Sequence, residues 1–309
     1  MKAIFFLLLF TGVLSAQIAP PENFKWLPIQ IGQHQYLPLD QVKKFYDFGK
    51  MQVQDDGKTL SLTNRTVEAI FPTENHAAYF NGVKFWLAHP IVKKDDSYYV
   101  SQFDLTALMD PILRPKFIKN AGKFDTVVLD AGHGGNDQGS ANEEAQHTLK
   151  LAKKLKPLLE EKGYKVIMTR EEDIFVSLGD RVRMANAHKN AIFVSLHFNS
   201  GNRNAQGFET YILSRRVPGK NTHAASVALA TAVHSRAILS LGKGHIKDRG
   251  IRSAKFNVLN GCKHPSILIE AGFLTHKEEA AMVTADDFQE LLIKSIVKGI
   301  HEYRAAVTK

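Results

Sequence analysis

The chain holds 309 residues, 44% hydrophobic and 23% charged, with 21 Gly, 11 Pro and one Cys, a composition that excludes a collagen, a disulfide-stapled miniprotein and a mostly disordered chain. Basic residues outnumber acidic ones by 40 to 31, and the resulting charge of +9 favours polyanionic partners such as nucleic acid, anionic lipid headgroups or acidic wall polymers. The lone Cys262 can close no intramolecular disulfide and build no Cys-rich zinc ribbon, so any metal site must be assembled from histidines and carboxylates.

At the N-terminus, Lys2 precedes the apolar run AIFFLLLFTGVLSA, and Gln17, Pro20 and Pro21 follow it. The run is shorter than the roughly 20 residues that cross a bilayer, and the pattern is that of a secretory signal peptide, residues 1–16, cleaved after Ala16. No cysteine follows for lipid attachment, and no second long apolar stretch appears. The expectation is an exported protein of the periplasm or cell wall, with no transmembrane segment after cleavage and no nucleic-acid partner.

From residue 17 to 120 the pattern is short and β-like. TLSLT (59–63) and VEAIF (67–71) alternate between two faces, and AAYFNGVKFWL (77–87) places Asn81-Gly82 between apolar runs. Asn-Gly there predicts a hairpin, because a type I′ turn needs positive φ at both central residues. LDQVKKFYDF and FDLTALM read as short helices, and Pro111, Pro115 and Gly122 mark a domain boundary near 120. In the order YLPL, helix, TLSLT, NGVKFWL and YYVSQFDLTALM, this segment resembles the small domain first named from the N-terminal stalk of copper amine oxidases. That resemblance implies a non-catalytic accessory module without copper, and His34, His76 and His89 show no ligand spacing.

Beyond Phe124 the rhythm becomes strand, loop, helix. Strands are predicted at TVVLD (126–130), KVIMT (165–169), AIFVSLH (191–197), GFETYIL (207–213) and SILIE (266–270), and helices at 144–162, 177–188, 224–239 and 287–304. Leu151, Leu155, Leu158 and Leu159 recur at helical spacing, Gly163 stops that helix, and Pro157 predicts a kink. The fold class is therefore α/β, a twisted, mostly parallel sheet with helices on both faces, preceded by a small β-rich α+β domain.

In such a sheet functional groups gather beyond the carboxyl ends of the strands. Three strands end in candidates: DAGHGG with Asp130 and His133, SLHFN with His197 and Asn199, and ILIEAGF with Glu270. Glu143 and Glu144 open the helix after the first strand. Two imidazoles and two carboxylates at one sheet edge suit a catalytic zinc with three protein ligands and an open water position. Each residue alone has a plainer role as turn, strand-end or helix-start residue, and the Walker and GxGxxG glycine patterns are both absent.

Residues 125–304 resemble the zinc-dependent N-acetylmuramoyl-L-alanine amidases through DAGHGGNDQGS, TLKLAKKLKPLLEEKGYKVIMTR, LGDRVRMANAHKNAIFVSLHFNS, GFETYIL, DRGIRSAKFNVL and PSILIEAGFLTHKEE. The resemblance implies a catalytic domain at 121–309, zinc ligands His133, Glu144 and His197, a catalytic glutamate Glu270, and hydrolysis of the amide between N-acetylmuramic acid and L-alanine in peptidoglycan. The compressed stretch SANEEAQHTL leaves Glu143 as an alternative ligand. Ala131 and His276 stand where Pro and Asn are common. Asp130, Asp137 and Asn199 are candidates to orient the imidazoles. Arg170, Arg181, Arg249 and Arg252 suit muropeptide carboxylates, with solvated surface arginine as the plain alternative. Between Ser214 and Ser253 little room remains for a long blocking helix, so an open cleft is expected. A wall-binding protein on a degenerate amidase scaffold, and a zinc amide hydrolase of another substrate, are the competing readings.

Overall fold

The computed structural model describes residues 24–54, 57–119, 121, 124–214, 222–242 and 246–308; the signal-peptide segment lies outside them. The first part runs β1 (Ile29–Ile31), β2 (His34–Pro38), α1 (Leu39–Phe45), β3 (Lys50–Gln54), β4 (Thr59–Thr63), β5 (Glu68–Pro72), β6 (Ala77–Phe80), β7 (Val83–Trp86), β8 (Val92–Lys94) and β9 (Ser97–Ser101). Strands β1, β2, β9 and β8 form a small antiparallel sheet, while β3 to β7 form an antiparallel meander. Asn81 and Gly82 have φ of 50° and 79°, as the predicted hairpin turn between β6 and β7 requires. Leu37, Leu39, Leu60, Leu62, Phe71 and Phe85 fill the core here. The stretch predicted as a short helix, FDLTALM, lies in a longer helical run through Gln102–Asp104, a π-helical turn at Leu105–Met109, and Asp110–Leu113.

The second part runs β10 (Thr126–Ala131), α2 (Glu144–Glu161), β11 (Lys165–Met168), α3 (Leu178–Asn186), β12 (Ala191–Asn199), β13 (Phe208–Leu213), α4 (His223–Leu241), β14 (Asp248–Ala254), α5 (Asn257–Gly261), β15 (Ser266–Phe273), α6 (Lys277–Thr284) and α7 (Asp286–Thr308). Strands β11, β10, β12 and β15 are parallel, and β13 runs antiparallel to β15 with β14 parallel to β13. Strands covered on both faces read as continuous apolar runs. Leu129, Val194 and Ile269 meet α2, α4 and α7 on one face, while Val128, Phe193 and Leu268 meet the Ala185, Val258 and Cys262 cluster on the other. Helix α2 continues past Pro157.

Strand β14 is not among the strands that the sequence pattern predicts. Through it the sheet runs past the expected domain boundary: β14 pairs with β7 at Ile251 and Phe85, giving among the described residues one sheet of 11 strands in the order β11-β10-β12-β15-β13-β14-β7-β6-β5-β4-β3. Among the described residues, α4 is the one helix long and apolar enough to cross a membrane. Most of it is buried, and it packs closely on α7, where a Cβ on Gly299 would lie 2.5 Å from Val233 Cα.

Candidate metal centre and active site

The site forms where β10, β12 and β15 end and α2 begins. After Ala131 the chain turns through Gly132, His133, Gly134 and Gly135, with His133 itself at φ 60°. Two glycines in this stretch are steric requirements. A Cβ on Gly132 would sit 2.3 Å from the His197 ring, and one on Gly139 would sit 2.5 Å from Glu144 Oε2 and 2.7 Å from His133 Cδ2. Only a residue without a side chain lets the loop approach this closely.

Glu144, 3% exposed, lies between the two histidines. His133 Nε2 is 3.1 Å from Glu144 Oε2, and His197 Nδ1 is 2.9 Å from Oε1. The carboxylate also accepts from the backbone N–H groups of Ser140 at 2.8 Å and Phe198 at 3.0 Å. One donor atom from each of His133, Glu144 and His197 falls within a 4.8 Å span, a group able to hold a metal ion. The compressed loop thus still delivers Glu144. The neighbouring Glu143 turns out to solvent, 3.8 Å from His147.

His133 faces a carboxylate on each nitrogen, since Asp137 Oδ1 lies 2.8 Å from Nδ1. Carboxylates only accept, so without a metal both nitrogens must carry protons. The bond to Glu144, against the cost of burial, raises His133 to about 9, with Asp137 adding to the effect. Burial opposes the charge on Glu144, yet the two imidazoles outweigh it and hold that carboxyl well below its usual range. His197 is likewise raised: burial opposes its charge, and the bond to Glu144 together with the negative charges of Glu270, Glu144 and Asp130 outweighs it. Protons therefore stand where two nitrogens and an oxygen converge. Asp137 on Nδ1 leaves Nε2 of His133 to serve as a ligand, the usual arrangement of a metal-binding histidine with its outer carboxylate. A His, Glu, His set is the N and O donor chemistry of zinc centres, so these residues fit the metal.

Of the other orienting candidates, Asp130 and Asn199 hydrogen-bond neither imidazole. Asp130 accepts from Thr169 Oγ1 at 2.7 Å, Ser195 Oγ at 2.7 Å and Arg181 Nη1 at 2.7 Å. Asn199 Nδ2 reaches towards Glu209 at 3.5 Å. Arg170 and Arg181, each 2% exposed, are neither surface nor substrate-facing residues. Arg170 donates to the carbonyls of Ala131, Gly132 and Ala145, and Arg181 to those of Ala131, His133 and Val176. They clamp the carbonyls of the histidine loop, which no regular strand pairing satisfies.

Glu270 is in register with His197 on one side and with Glu209 on the other. Its Oε2 is buried without a hydrogen-bond partner. Burial raises its carboxyl to about 7, with Glu144 and Glu209 pushing the same way against His197 and His133. Glu209, absent from the sequence-based candidates, is fully buried; it pairs with Arg249, lies 3.5 Å from Arg252 Nη1, and accepts from Tyr211 Oη. In GFETYIL it reads as an ordinary polar position, and only its register beside Glu270 marks it out.

A profile described as N-acetylmuramoyl-L-alanine amidase matches residues 127–302, a span that contains the whole cluster. The chain belongs to this amidase family. It is 34% identical over 181 residues to a Bacillus subtilis protein, YqiI, covering 58% of this chain and 84% of the relative. It is 32% identical to the probable cell wall amidase LytH of Staphylococcus saprophyticus over 59% of this chain, and spans 59% of that relative's length. The N-acetylmuramoyl-L-alanine amidase of Clostridium difficile 630 superposes with a TM-score of 0.53 at 34% identity, over 59% of this chain and 97% of that one. Family membership and the fold agree, since the matched residues 127–302 run from β10 into α7, the α/β part of the chain.

Proposed function

We propose that the chain is a zinc-dependent peptidoglycan amidase that hydrolyses the amide between N-acetylmuramic acid and the L-alanine of the stem peptide. The observation carrying this reading is the convergence of His133, Glu144 and His197 within 4.8 Å beside the partnerless carboxylate of Glu270, inside the family segment. His133, Glu144 and His197 would hold the metal. When bound, zinc supplies Lewis acidity, which polarises a carbonyl and acidifies water.

The rest of the chemistry belongs to the chain. Glu270, with no competing hydrogen bond on Oε2 and a carboxyl raised to about 7, accepts a proton from the attacking water and returns it to the leaving amine near neutral pH. Asp137 fixes the His133 ring through Nδ1. Asp130 and Arg181 hold the strand end from which the loop departs. Residues 1–16 serve as an export signal, 17–120 as a copper amine oxidase N-terminal-like accessory module, and 121–309 as the catalytic domain. The basic mature chain then meets anionic wall material, periplasmic or external. The cleft needs no activating partner. Delivery of Glu144 by the shortened loop favours an enzyme over a degenerate wall-binding scaffold.

Mass spectrometry of purified peptidoglycan treated with the mature protein, with zinc and with chelator, tests the reading. Zinc-dependent release of peptides beginning with free L-alanine, from intact glycan, is expected. Intact wall after incubation with zinc-loaded protein would overturn it.

A further inference from the structure

At the seam between the two parts of the sheet lies a cavity of about 610 Å³, lined by Trp86, Phe103 and Leu108 on one side and Ile212, Arg252 and Ser253 on the other. This volume is typical of sites for small organic ligands. Its walls are held together: Trp86 Nε1 donates to Arg249 O at 2.9 Å, Lys84 N to Asp248 Oδ2 at 3.2 Å, and His223 Nε2 lies 3.0 Å from Ala107 O. Residues 76–108 of the lining fall outside the family match at 127–302, so the cavity is not a feature of the amidase fold by itself.

Arg252 joins the cavity to the active site. Its guanidinium lies 4.8 Å from the Trp86 ring centroid and 3.5 Å from Glu209, the residue in register with Glu270. Arg249 makes the direct pair with Glu209, so two guanidiniums face one carboxylate, while the acidic Asp104 of the cavity lining is taken up by Ser101 Oγ and the backbone N–H groups of Ala88 and His89. Lys84 Nζ, 4.4 Å from the centroid of the same Trp86 ring, adds positive charge. From Glu270 to Arg252 is two strand spacings across and two residues along, about 12 Å, which an extended peptide covers in three or four residues.

Resting on the amidase reading, we propose that the seam cavity is a subsite for the distal end of a three- or four-residue peptide, whose terminal carboxylate Arg252 receives. The planar fork of arginine suits a carboxylate, and Trp86 holds the guanidinium plane. Amide cleavage beside Glu270 then frees the peptide's amino end there, while its carboxylate end is held at the seam.

The test uses full-length, zinc-loaded protein carrying Glu270→Gln and Trp26→Phe, so that Trp86 is the sole tryptophan. The probes are the tetrapeptide Ala-Glu-Lys-Ala, its C-terminal amide, and chitotetraose, followed by Trp86 fluorescence and calorimetry. Saturable binding of the free acid with a change in Trp86 emission is expected. Amidation or Arg252→Gln should weaken it by roughly 10- to 100-fold, Arg252→Lys should restore part of the loss, and Ser253→Phe, at an exposed position of the lining, should block the cavity independently. An unchanged affinity on amidation and in the folded Arg252 and Ser253 variants, or saturation by chitotetraose in place of the peptide, would overturn the subsite. Peptide binding by a protein whose wild type releases nothing from peptidoglycan would instead overturn the amidase reading alone.

Discussion

Two clusters flank Glu270, and both place one buried glutamate between two basic side chains. On the β12 side Glu144 lies between His133 and His197; on the β13 side Glu209 lies between Arg249 and Arg252. The bases make the difference. An imidazole can give up its proton and present a lone pair, so the first cluster can exchange protons for a metal cation. A guanidinium stays charged and has no acceptor, so the second can only present fixed positive charge. One arrangement of acid and bases thus suits a metal ion on one side and a permanent counter-charge on the other.

Exchanging parts between the clusters in function should therefore fail, and unequally. Glu144→Ala should empty the metal site and cost more activity than the roughly 10²- to 10⁴-fold contributed by general acid-base groups; metal analysis of the purified variant would show the loss. Glu270→Gln should lose about 10²- to 10⁴-fold in turnover with metal stoichiometry intact. Metal loss in that variant would make Glu270 a ligand and blur the comparison. Glu209→Gln should retain zinc and instead lose about 1.5–3 kcal/mol of stability through the weakened bonds to its charged neighbours, measured by denaturant unfolding. Asp137→Asn should weaken zinc by roughly 10- to 100-fold in a chelator competition, since it removes the carboxylate behind His133.

The smallest effect is the pH dependence of metal-free stability. His133, raised to about 9 by its bond to Glu144, adds stability that is complete below its ordinary 6.5 and is lost as pH climbs through about 9. Glu144, held down by the two imidazoles, adds stability complete above its ordinary 4.5 and lost as the pH falls. Thermal melts should therefore decline at both ends. Added zinc should remove the alkaline decline, because metal binding favours the deprotonated imidazoles. A flat alkaline limb in chelator would argue against protons holding the cluster together.

Much of this was legible beforehand, for physical reasons. The strands TVVLD, AIFVSLH and SILIE are buried on both faces and announce themselves as apolar runs, and their carboxyl ends are where a sheet of this class assembles its chemistry. Asn81-Gly82 specifies its turn through φ alone. What stayed hidden depends on long-range pairing. DRGIRSA has no apolar periodicity, because β14 is held between β13 and β7 and two of its side chains, Arg249 and Arg252, serve Glu209 and Trp86. Arg170 and Arg181 look like surface charge in sequence, and only the turned carbonyls of the histidine loop explain their burial. Glu209 becomes significant once register sets it beside Glu270.

The single pairing of β7 with β14 also bears on how the chain folds. Lys84 and Asp248 are 164 residues apart, so the meander can complete itself from local hairpins long before its last neighbour has been synthesised. Until then β7 offers an open edge, ready to pair with the same edge of another copy. Refolding at high concentration should accordingly be the step most prone to strand exchange and aggregation, and closure of the seam the event that ends that exposure.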